Sequence, residues 1–148
     1  ALLMAEFVAI PVGTVPLRVD LPAADRWLAT QPEPMAIAEI PTSIGARNQS
    51  TLMLHSMAHW RKTVHGYSGI LPAEHEALYK RLGAFPTAQT IEELSALGVT
   101  HVVVHIDWFL PDDWPPVEQR LRLFPQALTL VYQDERSRVY ALTRASGR

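Results

Sequence analysis

The chain has 148 residues, which is enough for one domain with a single hydrophobic core. Its formal net charge at pH 7 is only -2, so its overall field would not attract nucleic acid, and we predict no nucleic-acid partner. The absence of cysteine excludes disulfides and thiolate chemistry, and it leaves the redox compartment open.

The first 20 residues form an apolar segment, strongest from Ala1 to Val12, that is interrupted by prolines. The segment is too short for a membrane span and lacks the basic start of a secretory signal. Because the chain opens without an initiator methionine, we interpret it as a fragment. Residues 1–20 are then an extended apolar arm or the exit from a membrane-spanning segment.

Between residues 21 and 143, prolines and glycines divide the chain into alternating helices and strands. Pro22 suits the first turn of a short helix that carries Trp27 and Leu28. Further helices are predicted over about 49–58, from Pro72 to Phe85, from a capping box at Thr90–Glu93 to Gly98, and from Pro115 to Phe124. Strands are predicted over 35–40, near Thr63–Val64, over 99–106, and over 127–133 and 137–143 as a hairpin.

The run Val102–Val104 is continuous and β-branched, which is typical of an interior strand covered on both faces. We therefore predict a single-domain α/β sandwich over residues 21–143. Its sheet is mixed and mostly parallel, is flanked by helices, and ends in a C-terminal β-hairpin. The strand order stays undetermined, and residues 144–148 are expected to be a frayed tail.

Three histidines, His55, His59 and His65, lie within the fifteen positions that end at Gly69. His55 and His59 are spaced i, i+4, so on a helix both rings share one face and could hold a metal ion with a third ligand. No glutamate lies between them to complete the metalloprotease pattern H-E-x-x-H. Hydrogen-bonded structural histidines are the alternative, and we predict neither a metal nor a cofactor.

The segment Gly66–Gly69 is a turn, because it lacks the spacing and flanking elements of a nucleotide-binding loop. In a functional interpretation, this loop presents Tyr67, Ser68, Arg61 and His59 to a polar ligand such as a sugar or phosphate. In the structural alternative, the same side chains cap neighbouring backbone groups. The sequence leaves both interpretations open.

A second candidate region follows the strand that ends near residue 106. Ligands of open α/β sheets usually bind beyond the carboxyl ends of strands, so His105 and Asp107 are candidates to line a crevice there. Asp112 or Asp113 suits the N-cap of the helix that follows. A serine-based catalytic triad is not supported, because no G-x-S-x-G sequence exposes a serine.

Several of these segments together resemble the soluble C-terminal domain of bacterial membrane-embedded glycosyltransferases of the C type. The resemblance spans about Trp27 to Leu142, and its matching segments are Trp27-Leu28, Glu39-Ile40-Pro41, His55 to Gly69, Val102 to His105 and Arg138-Val139-Tyr140. The chain departs from the family pattern at His65, where relatives tend to have Asn, and at Lys62, where they have Pro.

The resemblance implies an extracytoplasmic domain that follows a multi-helix membrane portion and is tethered by it. The parent protein would transfer a sugar from a lipid-phosphate donor, with its catalytic acid in the membrane portion, so no catalytic residue is assigned to this chain. The implied partners are the membrane portion of the same polypeptide and a sugar or lipid-phosphate ligand. The ligand-binding candidates are His59, Arg61, Tyr67, Ser68 and His105.

We therefore expect a noncatalytic accessory domain that helps to bind acceptor or to shape the active site. One alternative is a self-sufficient small hydrolase or metal-binding domain that uses His55 and His59. Another is a protein-interaction module that docks a partner through Trp108, Phe109 and Trp114.

Overall fold

The computed structural model describes residues 20–42, 46–66 and 72–143. The arm over 1–19, Tyr67, Ser68 and the tail over 144–148 lie outside these ranges. The helices are α1 (Ala23–Thr30), α2 (Ala46–Ser56), α3 (Ala73–Leu82), α4 (Ala88–Ala96) and α5 (Trp114–Leu121). The strands are β1 (Ala36–Ile40), β2 (Lys62–Thr63), β3 (His101–His105), β4 (Leu128–Gln133) and β5 (Ser137–Leu142).

The five strands of the described residues form one mixed sheet in the order β2-β1-β3-β5-β4. β1 pairs in parallel with β2 and with β3, whereas β5 pairs antiparallel with β3 and with β4. The predicted α/β class with a mixed, helix-flanked sheet and a C-terminal hairpin is confirmed. The parallel pairing is confined to the β2-β1-β3 end of the sheet.

One face of the sheet packs against α3, α4 and α5. Val102 and Val104 of β3 are fully buried there, next to Leu82 of α3, Leu94 of α4 and Leu121 of α5. Successive side chains of a strand point to opposite faces, so Val103 belongs to the other face, and it is fully buried as well. Helices therefore cover both faces of β3, as the apolar run predicted.

The opposite face packs against α1 and changes from apolar to polar along the strands. Leu28 of α1 contacts Ile37 and Val103, and all three side chains are fully buried. Two residues further along the same face, β1 presents Glu39 and β3 presents His105, both nearly inaccessible to solvent. The carboxyl end of the parallel strands is therefore a polar interior.

Two helix caps differ from the sequence-based expectation. The N-cap of α4 is Thr87, whose side chain accepts a hydrogen bond from Thr90 N while the Thr90 hydroxyl accepts from Thr87 N. The predicted capping box at Thr90–Glu93 was wrong because Thr90 is already the third helical residue. Asp113 occupies the predicted N-cap position of α5, but its side chain makes no cap hydrogen bond, because its own backbone is helical (φ -86°, ψ -27°).

The end of α4 requires a glycine. Gly98 has φ +80°, Val99 N donates to Leu94 O, and Gly98 N donates to Ser95 O, which is the Schellman pattern. Among the described residues, no helix is long and apolar enough to cross a membrane.

We expect Gly98→Ala to lower the free energy of unfolding by about 1 kcal/mol, because an alanine side chain disfavours positive φ. Nothing lies within 4 Å of an added Cβ at Gly98, so backbone strain is the only cost. Gly66→Ala is the matched control: its added Cβ also meets nothing within 4 Å, and its φ lies outside the left-handed region. Equal losses for the two variants in denaturant unfolding would contradict this account.

Candidate functional site

Six titratable side chains meet in the polar interior beside the carboxyl ends of β1 and β3. We refer to them as the buried cluster, which consists of Asp25, Glu39, His55, His59, His65 and His105. α1, β1, α2, the turn after α2, the residues after β2, and β3 each contribute one member. The cluster therefore depends on the tertiary fold, because no single element supplies more than one of its groups.

Glu39 and His105 form the innermost pair of the cluster. Glu39 Oε2 lies 2.7 Å from His105 Nε2, and each side chain is only 4% exposed. The His105 ring also stacks on Trp108, with ring centroids 4.3 Å apart and planes 19° from parallel. A buried carboxylate is costly without a hydrogen-bonded partner, so this contact lets β1 keep an acid in the interior.

His65 extends the pairing of β1 beyond the end of β2. Its Nε2 accepts a 2.7 Å hydrogen bond from Glu39 N, where a further residue of β2 would otherwise supply a carbonyl. Because Nε2 accepts this bond, the neutral ring carries its proton on Nδ1, and burial lowers the pKa of His65; the buried Nδ1 has no hydrogen-bond partner in the described residues. The next residue is also fixed, because Gly66 N donates to the Tyr79 hydroxyl at 3.2 Å. His65 and Gly66, which lead into the predicted Gly66–Gly69 turn, are thus anchored to β1 and α3.

His59 fixes the turn between α2 and β2. Its Nδ1 accepts a 3.0 Å hydrogen bond from Arg61 N, so the neutral ring carries its proton on Nε2. That Nε2 lies 3.8 Å from Asp25 Oδ1 in the interior. Between the two hydrogen-bonded residues, Trp60 has φ 54° and is 76% exposed.

Arg61 caps the C-terminal end of α1. Its guanidinium donates to Leu28 O at 3.1 Å, to Ala29 O at 3.4 Å and to Gln31 O, and it pairs with Glu33 at 3.3 Å. A cation at this position also interacts favourably with the helix dipole. The side chain is 5% exposed, so its contacts match the structural alternative in which the loop residues cap neighbouring backbone groups.

Asp25 completes the buried cluster from the first turn of α1. Its Oδ2 lies 3.4 Å from His55 Nδ1, and neither atom has a hydrogen-bond partner in the described residues. Burial, together with the nearby Glu39 carboxylate, raises the pKa of Asp25 to about 6. Burial also lowers the pKa of both His55 and His59.

The structure thus brings His59 and His105 into one interior and places Arg61 at its border. Tyr67 and Ser68 lie outside the described residues, so the prediction that they bind ligand stays a prediction. Sequence reasoning missed Asp25. Its spacing from Leu28 was a usable signal, because residues three apart share one face of a helix and Leu28 was expected in the core.

A metal ion has little support at this place. In the part of the chain that the structure describes, no group of three or more histidine and carboxylate side chains is arranged to hold one. The tautomer of His59 also disfavours metal binding, because its Nε2 carries a proton toward Asp25 and has no lone pair to offer a metal ion.

The aromatic residues proposed for an interaction module are partly buried and pack within the domain. Trp108 stacks on His105, and Phe109 lies 5.7 Å from Trp114, measured between ring centroids. The Arg138 guanidinium covers the Trp114 ring at 5.0 Å. These contacts engage the three rings within the domain.

Comparison of the chain with protein-family models, curated proteins and solved structures finds no match.

We expect Arg61→Ala to lower the free energy of unfolding by about 2–4 kcal/mol, because it removes the guanidinium that donates to three carbonyls at the end of α1 and leaves Leu28 O with only its bond from Gln31 N. Arg61→Lys should restore less than half of the loss, since one ammonium group cannot reproduce the spread of guanidinium contacts. Lys62→Ala is the control, because Lys62 is exposed and adjacent. Chemical unfolding that gave Arg61→Ala and Lys62→Ala the same small effect would contradict the capping role.

We expect Asp25→Asn to raise stability relative to the parent chain above pH 6 and to leave it nearly unchanged at pH 4. The folded pKa of about 6 exceeds the unfolded value of 3.8, so the native state binds the proton more tightly and loses stability as pH rises between these values. The gain at pH 8 is at most about 3 kcal/mol. Urea unfolding of both chains across this range measures it, and a stability difference independent of pH would refute it.

Proposed function

We propose that this chain is a noncatalytic extracytoplasmic domain of a membrane glycosyltransferase that uses a lipid-phosphate-linked sugar donor. The proposal begins from the resemblance carried by the segment from His55 to Gly69. The observation that supports it best is that the polar side chains described in this segment bind backbone groups of the domain. His59, Arg61 and His65 bind backbone groups and fix the chain on both sides of β2.

A positioning role fits this arrangement better than catalysis by the described side chains. A general acid or base must reach the reacting atom within hydrogen-bond distance. Glu39 and His105 are instead directed at each other and are almost fully buried. The Arg61 guanidinium is engaged by carbonyl groups of the domain itself.

The hydrogen bonds of His65 and Gly66 fix the chain at a position in the fold where a ligand-binding loop is expected. The Gly66–Gly69 turn begins where β1 approaches its carboxyl end, since His65 binds Glu39 N and Gly66 binds Tyr79. Open α/β sheets bind ligands outside the carboxyl ends of their strands. In our proposal, the scaffold holds this turn so that Tyr67 and Ser68 face the acceptor or the donor headgroup at the reaction centre of the membrane portion.

The test uses the complete polypeptide encoded by the natural gene, reconstituted in membranes with a polyprenyl-phosphate sugar donor. We expect its coding sequence to contain several membrane spans before Ala1, and we expect sugar transfer by the complete protein but not by the 148-residue chain. Tyr67→Ala should lower transfer about tenfold or more while changing the melting temperature of the isolated domain little. Thr129→Ala, an exposed site on β4, is the control.

Two results would overturn the proposal. One is a natural coding sequence without membrane spans upstream of this domain. The other is a complete protein whose transfer rate is unchanged by Tyr67→Ala and by deletion of residues 21–143.

A further inference from the structure

In the buried cluster, the Asp25 carboxylate approaches two histidine nitrogens without forming a hydrogen bond to either of them. The two close pairs are Asp25 Oδ2 with His55 Nδ1 at 3.4 Å and Asp25 Oδ1 with His59 Nε2 at 3.8 Å. Three of these four atoms, Asp25 Oδ2, His55 Nδ1 and His59 Nε2, have no hydrogen-bond partner in the described residues. Buried polar groups nearly always have one, so this concentration at the junction of α1 and α2 requires an explanation.

We infer that Asp25 and His55 bind one proton in common, that its uptake weakens the attraction between Asp25 and His59, and that this loosens the turn that carries Trp60. The inference concerns the fold of this chain and is independent of the glycosyltransferase proposal. Its starting point is that Asp25 faces two histidines that belong to different structural units, α2 for His55 and the following turn for His59.

The bond from Arg61 N to His59 Nδ1 fixes what His59 offers to Asp25. The neutral ring directs its Nε2–H toward Asp25 Oδ1, so an ionised Asp25 attracts it. A proton added between Asp25 Oδ2 and His55 Nδ1 gives those two atoms a shared hydrogen bond. The same proton neutralises the negative charge that holds His59, so Asp25 exchanges one histidine partner for the other.

The surrounding charges act on this proton from every side of the cluster. Glu39 on β1 raises the pKa of Asp25, His55 and His59 alike and so favours uptake. His105 on β3 lowers the pKa of Asp25 and of His55, and Arg136 in the β4–β5 turn lowers that of His55. Arg61 and His55 lower the pKa of His59.

His65 is the remaining histidine of the cluster, and its ring is held by Glu39 N.

Burial raises the pKa of Asp25 to about 6 and lowers those of His55 and His59, so their titration ranges approach one another. Uptake is therefore placed between neutral and mildly acidic pH.

The turn after α2 is where a change in His59 has a structural consequence. Trp60 has φ 54°, an unfavourable conformation for a bulky side chain, and its indole is largely exposed. Two hydrogen bonds maintain this conformation, Trp60 N to Ser56 O at 2.8 Å and Arg61 N to His59 Nδ1 at 3.0 Å. When His59 loses its attraction to Asp25, the second bond is held less firmly and Trp60 can relax.

The test is an NMR titration of the 148-residue chain between about pH 8 and pH 5, following the imidazole nitrogens and the Trp60 indole N–H. We expect the signals of His55, His59 and Trp60 to move with one shared midpoint. In Asp25→Asn, the Trp60 response should disappear and uptake over this range should fall by about one proton per chain. His101→Gln is the control, because His101 lies on β3 outside the cluster, and it should keep the parent midpoint.

Three outcomes would overturn the inference: a Trp60 signal that does not respond to pH, a response that persists unchanged in Asp25→Asn, or midpoints for His55 and His59 that differ and do not shift in that variant. His55→Gln gives a second test if Asp25→Asn does not fold. It removes the histidine that shares the proton, so the Trp60 midpoint should move to lower pH by about half a unit or more. An unchanged midpoint there would also refute the shared site.

Discussion

The buried contact between Glu39 and His105 is the interaction on which this part of the molecule depends. Glu39 lies on β1, between the parallel neighbours β2 and β3, where a buried acid without a partner would destabilise the sheet. His105 on β3 supplies that partner, with its Nε2 2.7 Å from Glu39 Oε2. The Glu39 charge then acts on the other titratable groups nearby: it raises the pKa of Asp25 and opposes the lowering of pKa by burial at three histidines. The pair is both a structural element of the sheet and the source of the local field.

The remaining contacts of the cluster connect short elements that would be unstable alone. β2 has only two residues, Lys62 and Thr63, and pairing of that length does not fix a strand. Arg61 ties the chain before it to α1, and the His65 ring ties the chain after it to β1. Side-chain hydrogen bonds therefore replace the missing ladder, and they explain why Arg61 and His65 flank this strand.

The structural role of the segment from His55 to Gly69 is compatible with the proposed function. Residues that hold a loop in position can be required for activity without touching a substrate, because they orient the groups that do touch it. The distinguishing property is exposure: His59 and Arg61 are buried, whereas Trp60 between them is 76% exposed. The buried pair defines the turn, and the exposed indole is the group that such a turn presents to its surroundings.

Much of the secondary structure and the fold class was determined by local sequence. Pro22 marked the start of α1 and Pro41 the end of β1. The apolar run Val102–Val104 indicated an interior strand, and Gly98 marked the end of α4. These signals are short-range, because proline geometry, strand burial and a left-handed cap each depend on a few neighbouring residues. The capping box of α4 was misplaced by one turn for the same reason, since Thr87 and Thr90, three positions apart, offer similar local patterns.

Only the tertiary structure decided which polar residues meet. Asp25 and His55 are thirty positions apart, and Glu39 and His105 are joined by the parallel register of β1 and β3, which the sequence left open. Spacing along the chain could indicate that His55 and His59 share a helix face, but not which carboxylate lies opposite them. The strand order and the packing of α1 and α2 made that choice, because only they bring distant elements within the few ångströms over which hydrogen bonds and buried charges act.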